Sequence, residues 1–240
     1  PMTEARYDVI AIGNAIVDVM APCEDELIEE LGLNHGGMTL VDAARAQELY
    51  DAMGPAREIS GGSAANTLAG LAALGAQCAF IGQVADDQLG EVFAHDIRAA
   101  GIDFDTPARP GDPPTARCLI FVTPDAQRTL RTYLGAAMTL APAEISADDF
   151  RDCRHAHIEG YLVFNQALAD AVLGAARTAG CTTSVDLSSF EVVNASRAWL
   201  FSQFRKGLDV VFANEDEIRA LFEDQRSDFA SLTRRLADQG

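Results

Sequence analysis

Short continuous apolar runs recur along the chain, and stretches with a helical pattern separate them. Apolar side chains at successive positions predict strands that are buried on both faces of a parallel sheet. Most of the helical stretches close with glycine, which is common at helix C-termini. This repetition predicts right-handed crossovers and a doubly wound α/β fold. The predicted strands are 7–13, 78–84, 157–160, 183–187 and 210–213, and the predicted helices are 64–74, 90–100, 165–179, 216–222 and 228–239.

Other short strands do not fit a parallel sheet. Residues 16–20 and 38–41 flank an acidic helix at 24–31, and residues 115–123 and 128–134 read as a β-hairpin. Residues 106–114 hold four prolines, which predicts a stiff connector. We assign the short strands to a small β-sheet lid, made of about 14–42 and 114–136, within one α/β domain.

The repeating pattern stops after the last predicted helix, where a further strand is expected. The sequence therefore predicts one incomplete domain over 1–240, with the C-terminal part of the fold absent from it.

The charge of the chain argues against one class of partner. There are 36 acidic and 18 basic residues, a formal net charge of −18, which repels a nucleic-acid backbone. Binding of an anionic cofactor is compatible with this negative charge, because helix N-termini bind phosphate. No apolar run reaches the roughly 20 residues of a membrane span. Five dispersed single cysteines and a start without a signal peptide predict a cytoplasmic protein with reduced thiols.

Polar residues directly follow the first predicted strand. Asn14 and Asp18 lie where ligands of open α/β sheets bind, and a carboxylate accepts two hydroxyl groups at once. A solvated turn is the alternative. Residues 60–67 carry the pair Gly61-Gly62, which allows close approach or hinging, and Asn66, whose amide suits sugar hydroxyls. Here the alternative is a plain N-cap at Ser63.

Other polar positions have two interpretations each. Asn214 and Glu217 at the start of a helix suit a hydrated Mg²⁺ held through waters, or acids that favour the helix macrodipole. Arg128 and Arg131 suit a phosphate or a solvated edge. His155 and His157 share a strand face without a third metal ligand, which favours a structural role. Asp86-Asp87 most simply caps the next helix.

Together these elements resemble the ribokinase-like (PfkB-type) carbohydrate and nucleoside kinases over essentially the whole chain, and most closely the bacterial adenosine-kinase-type branch. The order and spacing of the motifs carry the resemblance. They are GNAIVD (13–18), SGGSAANT (60–67), IGQVADDQLG (81–90), PTARCLIFVTPDAQRTLRTYLGAA (114–137) and FANEDEI (212–218), with MGPA (53–56) and TYLGAA (132–137) indicating the branch.

The resemblance implies transfer of the γ-phosphoryl group of ATP to a hydroxymethyl group, most readily that of adenosine. It implies that Asp18 and Asn66 bind the substrate, that Gly61-Gly62 is the lid hinge, and that Arg128 lies near the substrate. Asn14 is a further candidate for substrate binding because of its place after the first strand. Asn214 and Glu217 match the family's N-x-x-E motif, which organises Mg²⁺ and phosphate, with Glu217 acting through water.

The family's glycine-rich D-T-x-G-A-G-D stretch, whose last Asp is the general base, does not occur in the sequence. We expect that base beyond residue 240. A ribokinase- or fructokinase-like sugar kinase and a non-catalytic sugar- or nucleoside-binding protein are the alternatives. Phe121, Tyr133 and Phe164 are candidates for a base-binding slot, and both a monomer and a homodimer are compatible with the sequence.

Overall fold

The computed structural model describes residues 5–239, and within them the strands form two sheets with eight α-helices around them. The strands are β1 (Tyr7–Ile12), β2 (Ile16–Pro22), β3 (Met38–Leu40), β4 (Arg57–Gly61), β5 (Cys78–Ile81), β6 (Ile102–Asp103), β7 (Ala116–Val122), β8 (Arg128–Tyr133), β9 (Cys153–Ile158), β10 (Thr182–Asp186) and β11 (Val210–Phe212). The helices are α1 (Asp25–Glu30), α2 (Ala43–Ala52), α3 (Ser63–Ala73), α4 (Gln88–Ala99), α5 (Gln166–Thr178), α6 (Phe190–Arg205), α7 (Glu215–Phe222) and α8 (Phe229–Ala237), and 3-10 helices cover Gly135–Thr139, Pro142–Glu144, Ala147–Phe150 and Gly160–Phe164.

Six strands form a parallel sheet in the order β11-β10-β9-β1-β5-β6. The chain builds outward from β1 in one direction through β5 and β6, and in the other through β9, β10 and β11. The predicted doubly wound fold is therefore confirmed, and the order of the strands reverses beside β1. Ligands of such sheets bind at this reversal, outside the carboxyl ends of the strands.

Successive side chains of β1 point to opposite faces of the parallel sheet and pack in two separate hydrophobic cores. Ile10 and Ile12 pack with α5 and α6, whereas Ala11 packs with α3 and α4 on the opposite face. Aromatic rings strengthen the second core, where Phe80, Phe93 and Phe104 lie with ring centroids 5.4–5.9 Å apart.

The second sheet is mixed and has the order β3-β8-β7-β2-β4. It contains the predicted hairpin, β7–β8, and the two short strands predicted near the N-terminus. One of its faces carries Val17, Val19 and Leu119, which join the core of α3 and α4. The strand β4 belongs to this sheet as well and lies outside the two segments that we assign to the lid.

Several elements differ from the sequence prediction. The pattern does not predict α2, α6, β4 or β6, and β9 begins four residues earlier than predicted. The strand β11 is not buried on both faces, because it lies at the edge of the sheet, where Val210 is 40% and Phe212 is 53% exposed. No helix among the described residues is long and apolar enough to cross a membrane. All five cysteines are free thiols in the structure.

Candidate functional site

The carboxyl ends of β1 and β9 lie side by side where the strand order reverses, and two buried polar side chains meet there. Asn14 follows β1 and is 3% exposed, and Glu159 follows β9 and is 1% exposed. The side-chain amide of Asn14 donates to Glu159 Oε1 over 2.7 Å. This bond fixes the orientation of the amide, so Asn14 Oδ1 is left buried and without a hydrogen-bond donor from the described residues.

Glu159 also holds the start of α3. Its Oε2 accepts a hydrogen bond from the backbone N–H of Ala64 over 3.2 Å. Burial raises the pKa of the Glu159 carboxyl, and the hydrogen bonds from Asn14 and Ala64 oppose that rise. The sequence analysis does not identify Glu159, because a glutamate after a strand is typical of a solvated turn. Its position directly after a buried strand is the feature of the sequence that could have indicated a role in the site.

The glycine pair at the start of α3 is required by close contacts. A Cβ atom at Gly61 would collide with the carboxylate of Asp18, and one at Gly62 would lie 2.8 Å from the backbone oxygen of Asn14. Gly62 also has φ +94°, a conformation that side chains other than glycine rarely adopt. The pair thus brings Asp18 and Asn14 close to the same turn.

Asp18 lies on the face of the second sheet opposite the core. It is half-buried, and no described residue donates a hydrogen bond to its carboxylate. Burial raises the pKa of this carboxyl, and the charge of exposed Arg128 opposes the rise. Cys118 is its neighbour across the β2–β7 pairing, and burial raises the pKa of that thiol to about 11. A carboxylate in these surroundings is ready to accept hydrogen bonds from a ligand.

Residues near the start of α3 differ in exposure. Gly62 rather than Ser63 is the N-cap residue, so the N-cap interpretation of Ser63 is wrong. The Ser63 hydroxyl is buried without a partner among residues 5–239. Asn66 lies in the first turn of α3 and is exposed, which leaves its amide free to bind a ligand.

Asn214 and Glu217 form a capping box at the start of α7. Asn214 Oδ1 accepts from the N–H of Glu217 at 2.9 Å, and the Glu217 carboxylate accepts from the backbone and side-chain nitrogens of Asn214, both at 2.8 Å. Glu217 is 3% exposed; burial raises its pKa, and the charge of Asp186 adds to the rise. This pair lies beyond β11, on the far side of β10 from Asn14 and Glu159.

His155 and His157 lie on β9, and their rings share one hydrogen-bond partner on β10. Nε2 of His155 and Nδ1 of His157 lie 2.7 and 2.8 Å from the hydroxyl oxygen of Ser184. Within the described part of the chain no group of three or more His, Cys, Asp or Glu could hold a metal ion. The network ties β9 to β10.

Two small cavities lie on either side of Met138, and Asn14 lines one of them. One is lined by Asn14 and Tyr161 and the other by Leu40 and Tyr133, and Met138 lines both. Of the slot candidates only Tyr133 lies here. Phe121 is fully buried in the core, so it is wrong as a slot residue, and exposed Phe164 lines neither cavity. Another groove, of about 580 Å³, is lined by Ile10, Ile81 and other residues, but by neither Asn14 nor Asp18. We place the site at the strand ends because the unpaired acceptors of Asn14 and Asp18 lie there.

Comparison with known proteins identifies the family of the chain. The model of the pfkB family of carbohydrate kinases matches residues 37–240. Adenosine kinase from Sinorhizobium meliloti is 46% identical, with a TM-score of 0.86, over 98% of this chain and 72% of that chain. A probable sugar kinase from Rhizobium etli is 40% identical with a TM-score of 0.87 and the same coverage. The ATP-dependent ribose-1-phosphate kinase of Halopiger xanaduensis is 31% identical over 70% of this chain and 54% of its own length.

Proposed function

Because the chain belongs to the pfkB family of carbohydrate kinases, we propose that it forms the substrate side of an enzyme that phosphorylates a hydroxymethyl group of a nucleoside or sugar at the expense of ATP. Adenosine is the proposed substrate. The chain spans about half the length of a curated relative that it matches and about three-quarters of the similar solved chains, so the activity is proposed for the whole protein.

The proposal rests on two side chains whose hydrogen-bond acceptors receive no donor from the described residues. Asn14 Oδ1 is buried and unpaired, and the half-buried carboxylate of Asp18 receives no hydrogen bond from the described residues. Leaving a buried acceptor unpaired costs about 1–3 kcal/mol. A ligand with several hydroxyl groups supplies the missing donors. Acceptors of this kind, close to one glycine turn, suit a ribose or another polyol.

The remaining proposed contacts surround these acceptors. Asn66, exposed in the first turn of α3, offers both a donor and an acceptor to a further hydroxyl. The guanidinium of Arg128 is close enough to Asp18 to counter the effect of burial on its pKa, and it would keep the carboxylate ionised while the substrate binds. The Gly61-Gly62 turn would let the second sheet close over the substrate and exclude water.

Adenosine is favoured over a free sugar by apolar surface in the cavity that Leu40, Tyr133 and Met138 line. Leu40 is 54% and Met138 is 49% exposed, and the strand pairing places Leu40 in register with Thr132, Cys118 and Asp18 across the second sheet. Contact with a flat aromatic base would remove this apolar surface from water, at roughly 25 cal/mol per Å². A free sugar has no such group to place there.

ATP would supply the phosphoryl group that is transferred, with Mg²⁺ to offset the charge of the phosphates. Glu217 does not fit direct binding of Mg²⁺, because it is buried and both of its carboxylate oxygens already accept hydrogen bonds from Asn214. A contact of Asn214 and Glu217 with the ATP side of the site, through water, stays a proposal.

Calorimetric titration of the 240-residue chain with adenosine, ribose and fructose tests the substrate side. Adenosine is expected to bind most tightly. Binding of ribose or fructose without adenosine would favour the sugar-kinase alternative, and no binding of any of the three would contradict the proposal. A coupled assay of ATP consumption on the whole protein, with the same three substrates, tests the transfer itself.

A further inference from the structure

The chain passes between the two sheets at four places within the described residues. It leaves the parallel sheet after β1 and returns after β4, and it leaves again before β7 and returns after β8. The position of the second sheet, and therefore of Asp18, depends on how these four crossings are held.

Glu159 holds the first two crossings. It accepts hydrogen bonds from the side chain of Asn14, which lies between β1 and β2, and from the N–H of Ala64, just past the Gly61-Gly62 turn. One buried carboxylate, carried by the end of β9, thus joins the exit and the return of the first segment.

Asp87 holds the other two crossings. Its Oδ2 accepts from the backbone N–H of Thr115 over 2.8 Å, and its Oδ1 accepts from the Thr115 hydroxyl over 2.6 Å. Thr115 directly precedes β7 and is 1% exposed. The return after β8 is tied to the same point, because the N–H of Ala136 donates to the backbone oxygen of Pro114 over 2.9 Å.

Both carboxylates are fixed to the rest of the fold in the same way. Asp87 is the N-cap of α4 and accepts from the N–H of Gly90 over 2.8 Å, as Glu159 accepts from the first turn of α3. The Thr115 hydroxyl in turn accepts from the N–H of Ala85 over 2.9 Å. Capping of α4 by Asp87 requires only the hydrogen bond from Gly90. The two hydrogen bonds from Thr115 to Asp87 therefore indicate a second role for this carboxylate.

We infer that Asp87 and Glu159 are positioning residues that form the two pivots of the second sheet and hold Asp18 in place opposite Asn14. This inference rests on the proposed function for its effect on the substrate. Gly61-Gly62 gives the backbone the freedom to turn. The two carboxylates hold the segments at the four crossings, and so fix the points about which the second sheet moves. Neither residue needs to touch the substrate.

Thr115→Val tests the Asp87 pivot, because valine keeps the shape of threonine and removes the hydroxyl. Hydrogen exchange followed by mass spectrometry should show faster exchange around residues 114–117 and 134–137, with residues 12–16 and 61–66 unchanged. Thr115→Ser, which keeps the hydroxyl, should behave as the wild type. Asp86→Asn is the matched control, because Asp86 is exposed and its side chain makes no hydrogen bond to the described residues.

Glu159→Gln is the reciprocal variant. Its amide nitrogen would face either Asn14 or Ala64, both of which donate, so exchange should rise around 12–16 and 61–66 and stay unchanged around 114–117. Faster exchange throughout the chain in both variants, or the same pattern in Thr115→Val and Thr115→Ser, would overturn the inference.

Adenosine binding separates this inference from the proposed function. Thr115→Val loses the hydroxyl bond to Asp87 and the bond from the Ala85 N–H to that hydroxyl. We expect this loss to weaken binding about fivefold to tenfold, while Thr115→Ser and Asp86→Asn bind as the wild type does. Wild-type affinity in Thr115→Val would overturn the positioning role. If the wild-type chain binds none of adenosine, ribose and fructose, the proposed function is wrong, and the exchange pattern alone then decides on the pivots.

Discussion

Asp18 carries a charge that its surroundings stabilise poorly. Burial raises the pKa of its carboxyl, and no hydrogen bond from residues 5–239 offsets the loss of water. Only the charge of Arg128 opposes that effect. A partly buried carboxylate without hydrogen-bond donors lowers the free energy of unfolding of the ligand-free protein. Such a residue is expected where a bound ligand supplies the missing donors.

Asp18→Asn should therefore separate binding from stability. The amide has lost the charge and one acceptor oxygen, so adenosine binding should weaken about tenfold to a hundredfold, which corresponds to about 1.5–3 kcal/mol for hydrogen bonds to a charged group. The urea midpoint of the free protein should be no lower than that of the wild type. Calorimetry and urea unfolding measure the two effects.

Asp238→Asn is the control, because Asp238 is exposed and follows α8, far along the chain from the site. It should change neither binding nor the urea midpoint. Unchanged adenosine affinity in Asp18→Asn would show that Asp18 does not bind the substrate.

At the scale of elements, β9 and β10 are joined by titratable side chains. His157 is 5% exposed, and burial is the main cause that lowers its pKa; His155 has its pKa lowered by burial as well. The folded protein thus holds these rings neutral at a pH where the unfolded chain, with a histidine pKa of about 6.5, binds protons. The unfolded state takes up more protons, so stability falls as the pH drops below about 6.5.

The raised pKa values of Glu159 and Glu217 act in the opposite direction, so the contribution of His157 is measured as a difference. Between pH 7 and pH 5 the free energy of unfolding should fall less in His157→Asn than in the wild type. Urea unfolding at a series of pH values provides the measurement. Equal slopes in the wild type and His157→Asn would contradict the account of the His157 environment.

The sequence predicts the elements whose apolar residues are continuous or recur at a regular spacing. The long strands of the parallel sheet and α3, α4, α5 and α7 have continuous apolar runs or one apolar face. The helix α6 escapes prediction because polar Ser196 and Gln203 lie among its buried positions. The strand β4 carries Arg57, Glu58 and Ser60, so its sequence, REISG, lacks the apolar content of a buried strand.

The same limit applies to the site. Asn14, Asp18 and the glycine pair are recognisable because each lies next to a predicted strand or helix end. Glu159 and Asp87 have roles that depend on partners far away in the sequence, with Glu159 lying 145 residues from Asn14 and Asp87 lying 28 residues from Thr115. No local pattern indicates such contacts.

At the scale of the whole molecule, the parallel sheet presents an open edge. The strand β11 pairs only with β10 among the described strands, and its side chains Val210 and Phe212 are exposed. An unpaired apolar edge is a template for pairing with another chain. The net charge of −18 opposes association in general, but salt screens that repulsion.

The 240-residue chain is therefore expected to self-associate through β11 at moderate salt, and Phe212→Lys should reduce that association. Leu74→Lys is the matched control, since Leu74 is 86% exposed but follows α3 rather than lying on a sheet edge. Sedimentation velocity at several protein concentrations measures the effect. Equal association in the two variants would show that β11 is not the contact.

We propose that Asn14 and Asp18 recognise the hydroxyl groups of a nucleoside or sugar. A calorimetric titration of the wild-type chain with adenosine and with 2′,3′-dideoxyadenosine tests this proposal, because the analogue has the same base and the same hydroxymethyl group but lacks the two vicinal hydroxyls. We expect adenosine to bind and the dideoxy analogue to bind at least about tenfold more weakly, because the unpaired acceptors stay unpaired. Equal affinity for the two compounds, or no binding of adenosine, would contradict it.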